Sequence, residues 1–204
     1  MAKTTSSTLE GTQNTLFTAK LGLRALDSAD PNERMAGLRN LVVFGRSVTF
    51  VLQNLRSTEP DFDGWYEKYE SEMKADSLMK FFNKLRSTIL KEGELRTHMS
   101  LTFSSNPHEL IKRSQPPPGA KAFFISDQIG GSGWEVELPD GSVAKYYVAI
   151  PSDLPNFDLS IQVHLSEAPE QYHGMPVEEL CEKYILYLDG MVQEAKRHFT
   201  KRDA

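Results

Sequence analysis

A run of three prolines divides this chain into two stretches with different patterns. Pro116, Pro117 and Pro118 lack backbone N–H groups and clash with a preceding helical turn, and Gly119 follows them directly. Before this run, apolar residues recur every three or four positions, which is typical of helices. After it they tend to alternate, which is typical of strands. We therefore predict a linker at residues 114–120, between a helical part and a sheet.

The helical part is predicted to be a bundle over residues 12–113, preceded by a flexible tail at residues 1–11 that is rich in Ser and Thr. An antiparallel sheet is predicted over residues 121–166. A last helix is predicted at residues 174–200, where one apolar stripe would return it to the bundle or to a partner chain. The fold class is mainly α (α+β), a helical bundle with a small antiparallel β-sheet inserted before a long C-terminal helix. One domain can hold all 204 residues.

Local signals predict where the helices begin and end. Asp30 followed by Pro31 predicts a helix start, because aspartate caps free N–H groups and proline suits the first helical position. Gly93 predicts a helix end, since glycine readily adopts the left-handed conformation of a C-cap. The helices of the bundle are predicted at residues 12–26, 31–57, 61–73 and 75–92.

Four short segments of the second part have the composition of strands. They are residues 122–125, 134–138, 143–150 and 160–165. Pro139-Asp140-Gly141 predicts a turn, and hence a hairpin between the second and third strands. Polar residues alternate along the strands, among them His164, so one face of the sheet is predicted to be in contact with water.

Composition and charge limit the classes of function. The net charge of −5 argues against non-specific attraction to nucleic acid or anionic lipid. Cys181 is the single cysteine and the five histidines are widely spaced, so we predict no disulfide, no metal site and no cofactor. The N-terminus resembles no signal peptide, and the longest apolar runs are far shorter than a membrane span. We expect a cytoplasmic protein with no membrane partner.

Arg86 occupies an unusual position on the predicted helix 75–92. At 100° per residue it lies within the apolar arc, between Phe82 and Leu90. An arginine that faces a core costs several kcal/mol unless it finds an acid, a carbonyl group or an anionic ligand. Either it pairs with a carboxylate such as Glu33, Glu70 or Glu72, or it binds a ligand.

The helix predicted at 31–57 carries a related pattern. Apolar residues cover more than half of its circumference, and Arg39, Arg46 and Gln53 form a narrow polar column at seven-residue spacing. Such a helix is either central in a bundle or lines a polar cleft. The second interpretation gains weight if Arg86 faces the same cleft.

Residues 12–95 resemble the HEPN superfamily of helical bundles. The resemblance rests on Arg39-Asn40-Leu41, on Arg46 and on the segment FNKLRSTILKEG at residues 82–93. Many HEPN proteins are metal-independent ribonucleases or toxins, with a motif of an arginine, a polar residue, a short stretch and a histidine. Arg86-Ser87 matches the opening of that motif, but Lys91 or a neighbour stands where the histidine would be. The resemblance therefore implies a non-catalytic or degenerate member, and no catalytic residue is assigned.

We accordingly hypothesise a HEPN-like protein that binds a nucleotide or an RNA phosphate, related to defence or to toxins, and forms a homodimer. The predicted ligand-binding residues are Arg39, Arg46, Arg86 and Lys91. We lean against an enzyme, and an active form would be a metal-independent ribonuclease. The alternative is a protein-interaction module or a structural homodimer without a small ligand, in which the arginines are structural.

Overall fold

The computed structural model describes residues 4–28, 30–103, 111, 114–125, 127, 131–149 and 159–200. The chain forms two compact units, one of residues Met1–Leu95 with Glu167–Ala204 and one of residues Arg96–Ser166. The strand segment closes on itself by pairing its first strand with its last, and the single domain stays a prediction. The fold class, mainly α with a small antiparallel β part before a long final helix, is confirmed.

Five α-helices lie in the first unit within the described residues. They are α1 (Thr5–Arg24), α2 (Pro31–Leu52), α3 (Phe62–Ala75), α4 (Ser77–Glu92) and α5 (Val177–Thr200), with short 3-10 helices at Ala25–Asp27, Gln53–Ser57 and Glu170–Tyr172. Helix α1 packs against α2 and α5, and α4 packs against α2 and α3. The shared core contains the fully buried side chains of Leu41, Leu52, Phe62, Phe82, Leu180, Leu188, Met191 and Phe199.

Helix α1 begins earlier than the sequence predicted. Residues 1–11 were predicted to be a flexible tail, but the helix starts at Thr5, and only residues 1–3 of that tail lie outside the described residues. A capping box explains the start. The hydroxyl of Thr4 accepts a hydrogen bond from the backbone N–H of Ser7 at 3.1 Å, and the hydroxyl of Ser7 accepts one from the backbone N–H of Thr4 at 3.0 Å.

This capping box gives a first testable prediction. Thr4→Ala should lower the free energy of unfolding by about 1 kcal/mol, because the first turn of α1 loses a side-chain acceptor. Chemical denaturation followed by circular dichroism measures the change. Ser6→Ala is the control, since Ser6 is exposed and takes no part in the box. Equal stability of the two variants would contradict a helix start at this position.

The start of α2 and the end of α4 follow the local signals. The carboxylate of Asp30 accepts a hydrogen bond from the backbone N–H of Asn32 at 2.8 Å, and Pro31 is the first helical residue. Gly93 ends α4 with a φ of +69°, and its N–H donates to the carbonyl of Ile89. Both predicted boundaries are confirmed.

Two small antiparallel sheets form the second unit. Strand β1 (Thr97–Phe103) pairs with β5 (Leu159–Leu165), while β2 (Ala120–Phe124), β3 (Gly133–Glu137) and β4 (Val143–Tyr147) form a three-stranded sheet in that order. The hairpin predicted around Pro139-Asp140-Gly141 is confirmed by the pairing of β3 with β4. The last residue of the predicted third strand, Ile150, lies outside the described residues.

The position of β1 corrects two predictions. Its residues were assigned to a helical bundle that would extend to residue 113, and one small antiparallel sheet was predicted over residues 121–166. Instead, β1 joins β5 across about sixty residues of sequence. Residues 104–110, also assigned to the bundle, lie outside the described residues. His164 was predicted to lie on a wet face, yet it is buried, 2.8 Å from the hydroxyl of Ser100.

One helical segment within the described residues, Pro31–Ser57, is long and apolar enough to cross a membrane by length and composition. Core helices of bundles meet the same criterion, and this segment packs against α1, α4 and α5. The absence of a membrane partner stays a prediction.

Candidate functional site

Two arginines from neighbouring helices meet at one phenylalanine ring. The guanidinium carbon of Arg46, on α2, lies 4.3 Å from the centroid of the Phe50 ring, and that of Arg86, on α4, lies 5.2 Å from the same centroid. Phe50 itself is 45% exposed. The electron-rich ring attracts both cations and holds them at the surface of the α2–α4 pair.

The two guanidinium groups have polar atoms without partners. The Nε of Arg46 donates to the Oδ1 of Asn83 at 3.0 Å, but its Nη1 is buried and makes no hydrogen bond with the described residues. The Nε of Arg86 is buried and unpartnered in the same way. Burying a donor without an acceptor costs roughly 1–3 kcal/mol, and more for a charged group.

No carboxylate of the described residues forms a salt bridge with either arginine. The three acids proposed as partners of Arg86 are engaged elsewhere: Glu70 binds Lys74 at 2.8 Å, Glu72 accepts from the hydroxyl of Tyr187, and Glu33 accepts from that of Ser28. The site therefore holds two close positive charges without an anion from the described chain.

Tyr184 of α5 lies close enough to both arginines for their charges to act on its phenol. Its ring is 2% exposed and stacks on Phe82, with 4.0 Å between centroids and 2° between planes. Gly45 makes room for it, since a Cβ atom there would lie 2.6 Å from the Cε1 of Tyr184. Burial raises the pKa of the Tyr184 phenol, and the charges of Arg46 and Arg86 oppose that shift. The hydroxyl keeps its proton at neutral pH and can donate it in a hydrogen bond.

A cleft of about 270 Å³ begins at Arg46 and extends between α2, α3, α4 and α5. Buried side chains form its floor, and neutral polar side chains and charged rim residues complete its walls. Arg86 is not among the lining residues, so Arg46 is the residue common to the arginine pair and the cleft. The lining includes Thr49, Gln53, Tyr66, Met73, Met79, Lys80, Asn83, Tyr184 and Leu188.

The other two predicted ligand residues lie elsewhere on the α2–α4 pair. The Nη2 of Arg39 donates to the carbonyl oxygen of Gly93 at 2.9 Å, so it caps the C-terminus of α4. Lys91 is exposed on the last turn of α4, five positions after Arg86. Because five residues correspond to about 140° of rotation, the two side chains leave α4 in different directions. The structure thus brings together Arg46 and Arg86 but neither Arg39 nor Lys91.

Sequence reasoning did not single out Phe50, Asn83 or Tyr184. One signal was available for Phe50, which follows Arg46 by four residues and therefore lies on the same side of the helix. Tyr184 was assigned only to the apolar stripe of the last helix. Nothing local in the sequence connects it to residues on α2 and α4.

A model of the family described as bacteriophage lambda protein ea47 matches residues 25–105, which is less than half of the chain. The matched segment contains α2, α3 and α4, and with them Arg46 and Arg86. None of the curated proteins or solved structures compared with the chain matches it.

Proposed function

We propose that this chain binds the phosphate group of a nucleotide or an RNA between Arg46 and Arg86, and that it does so without cleaving the ligand. One observation carries the proposal: two guanidinium groups share the Phe50 ring, each with a buried nitrogen that lacks a hydrogen-bond partner among the described residues. Phosphate oxygens would accept from the accessible N–H groups of the two guanidiniums and offset the repulsion between the cations.

Two resemblances support a biological role for this binding function. The arginine pattern resembles HEPN bundles, many of which act as toxins or ribonucleases, and the segment that carries it is similar to the phage lambda protein ea47. Both favour a role in a phage or in defence against one. The homodimer remains part of the proposal, as in the sequence-based hypothesis.

The groups around the site favour binding over catalysis. RNA cleavage without metal needs a group that takes and gives protons near neutral pH. Burial raises the pKa of the Tyr184 phenol, so it stays protonated and cannot take a proton near neutral pH. The imidazole of His198 lies 3.0 Å from the carboxylate of Asp61, and His198 is not among the residues that line the cleft.

The direct test uses labelled single-stranded RNA in a metal-free buffer, with binding and cleavage read in the same reaction. We expect the wild type to bind without cleavage and Arg86→Ala to bind about tenfold more weakly or worse, since a charged hydrogen bond contributes about 1.5–3 kcal/mol. With one phosphate held between the two arginines, the logarithm of the binding constant should fall with the logarithm of the salt concentration with a slope of about −0.7.

Arg24→Ala is the matched control, because Arg24 is an exposed arginine at the end of α1 and should leave RNA binding unchanged. Cleavage by the wild type that is lost in a folded Arg86→Ala would show a ribonuclease. Wild-type RNA binding that Arg86→Ala leaves intact would contradict the proposed site.

A second candidate function is protein interaction, with the arginines in a structural role. Large apolar side chains are exposed on three helices of the bundle: Phe17 and Leu21 on α1, Phe44 on α2 and Leu186, 73% exposed, on α5. Exposed apolar surface of this kind is typical of interfaces. This candidate becomes the better account if the wild type binds neither RNA nor free phosphate.

A further inference from the structure

The cleft beside Arg46 has an apolar floor that a phosphate alone would not need. Its floor is apolar and buried, formed by Met79, Tyr184 and Leu188, which are 8%, 2% and 1% exposed. Stacking of Tyr184 on Phe82 fixes one side of that floor. A flat, apolar group of a ligand could therefore lie against it while its charged group stayed at Arg46.

Neutral hydrogen-bonding groups surround this floor. The Nε2 of Gln53 donates to the hydroxyl oxygen of Tyr66 at 3.1 Å, which leaves the phenol proton of Tyr66 available. Asn83 uses its Oδ1 for Arg46, so its amide N–H groups are available as well. Together with the Tyr184 hydroxyl, these donors suit a ligand that presents ring nitrogens and carbonyl oxygens.

Charged groups lie at the rim, and two of its cations are paired with carboxylates there. Arg56 donates to the carboxylate of Asp63 at 2.6 Å, and Lys74 binds Glu70 at 2.8 Å. The interior of the cleft thus favours an uncharged, polar, ring-bearing group. A second phosphate inside it would meet the carboxylate of Glu70 nearby.

We infer that the cleft accepts one nucleoside, with its base against Met79, Tyr184 and Leu188 while its phosphate lies between Arg46 and Arg86. This inference rests on the proposed function and narrows it to a mononucleotide or the terminal nucleotide of an RNA. The volume of the cleft supports a single nucleoside, because about 270 Å³ is just below the usual range for drug-sized ligands. A nucleotide inside an RNA chain would have to bring its neighbours into the same cleft.

Isothermal titration calorimetry separates the phosphate from the nucleoside. The probes are inorganic phosphate, ribose 5-phosphate and the four nucleoside 5′-monophosphates, followed by a short RNA with either a phosphate or a hydroxyl at its 5′ end. At least one nucleoside monophosphate should bind tenfold or more tightly than inorganic phosphate and ribose 5-phosphate. If an RNA end is the source, the 5′-phosphorylated RNA should match that affinity and the hydroxyl form should not. If a free nucleotide is the source, neither RNA should match it.

Two variants test whether the added affinity comes from the cleft. Met73→Trp should fill its mouth, and Gln53→Ala removes a polar group with little risk to folding. Both should abolish the tenfold preference for the nucleotide while inorganic phosphate binds within twofold of the wild type. Ser71→Trp, at an exposed position of α3 outside the lining, should change neither affinity.

The outcomes distinguish this inference from the proposed function. Phosphate binding with no preference for any nucleoside monophosphate would overturn the inference and leave the proposed function intact. The same conclusion would follow if Met73→Trp and Gln53→Ala both kept the preference. Binding of neither phosphate nor nucleotides would overturn the proposed function together with the inference.

Discussion

Replacing Gly22 with alanine should lower the free energy of unfolding by about 3 kcal/mol, the upper part of the range for overpacked cores. A Cβ atom at Gly22 would lie 2.5 Å from the carbonyl oxygen of Gly37 and 2.7 Å from the backbone nitrogen of Leu41. Both obstacles are backbone atoms of α2, so neither can rotate away. Helices α1 and α2 would have to separate, and the core between them would loosen.

Gly190 provides the matched control for this substitution. It lies inside α5, and a Cβ atom there would have no neighbour within 4 Å. Gly190→Ala should therefore stabilise the protein by about 1 kcal/mol through helix propensity alone. Urea unfolding followed by circular dichroism measures both variants. Equal stability of Gly22→Ala and Gly190→Ala would contradict the close approach of α1 to α2.

Boundaries set by neighbouring residues could be predicted from the sequence. Asp30 and Pro31 at the start of α2 and Gly93 at the end of α4 act within one helical turn, and their effect is the same in any fold. The start of α1 was missed because its capping box uses Ser7 where a glutamate or glutamine is the usual signal. Without that signal, the polar, Ser- and Thr-rich segment at the start of α1 has the composition of a flexible tail.

Pairing between distant segments could not be predicted in the same way. Strand β1 alternates Met99, Leu101 and Phe103 with polar residues, which is typical of a strand, but nothing local in it indicates its partner β5, with Thr97 opposite Leu165. Alternation along β5 predicted Gln162 and His164 on one wet face, but only Gln162 is exposed, while His164 and its neighbour Leu165 are both buried. His164 is buried because it stacks on His98 at 5.1 Å between ring centroids, which depends on that pairing.

Some features of the candidate site could be predicted from local sequence, and others depend on tertiary packing. Arg86 was noticed because helical phase alone places it among apolar residues, and the seven-residue column on α2 singled out Arg46. Their meeting at Phe50 depends on how α2 packs against α4, and the position of Tyr184 depends on a third helix that is about a hundred residues away in sequence. Helical phase can thus identify an unusual residue, whereas its partners follow from tertiary packing.

That packing predicts an unusual effect of removing the charge of Arg86. Arg86→Met should raise the free energy of unfolding of the ligand-free protein by about 1 kcal/mol, because removing a buried unpartnered donor and the repulsion from Arg46 outweighs the lost contact with the Phe50 ring. Methionine is flexible enough to fill the space of the arginine stem. If Arg86 instead belonged to a structural ion pair, the same change would cost about 3–5 kcal/mol.

Phosphate should reverse the order of stability of the wild type and Arg86→Met. At a phosphate concentration one hundred times the wild-type dissociation constant, the wild type gains about 2.7 kcal/mol of stability, whereas Arg86→Met, if it binds tenfold more weakly, gains about 1.4 kcal/mol or less. Thermal unfolding over a phosphate titration, at constant ionic strength set with chloride, would show the variant more stable at first and the wild type more stable at saturation. Arg24→Met, at an exposed position, should follow the wild type throughout. Curves that never cross, with the variant less stable at every concentration, would mean that Arg86 holds the bundle together and binds no anion.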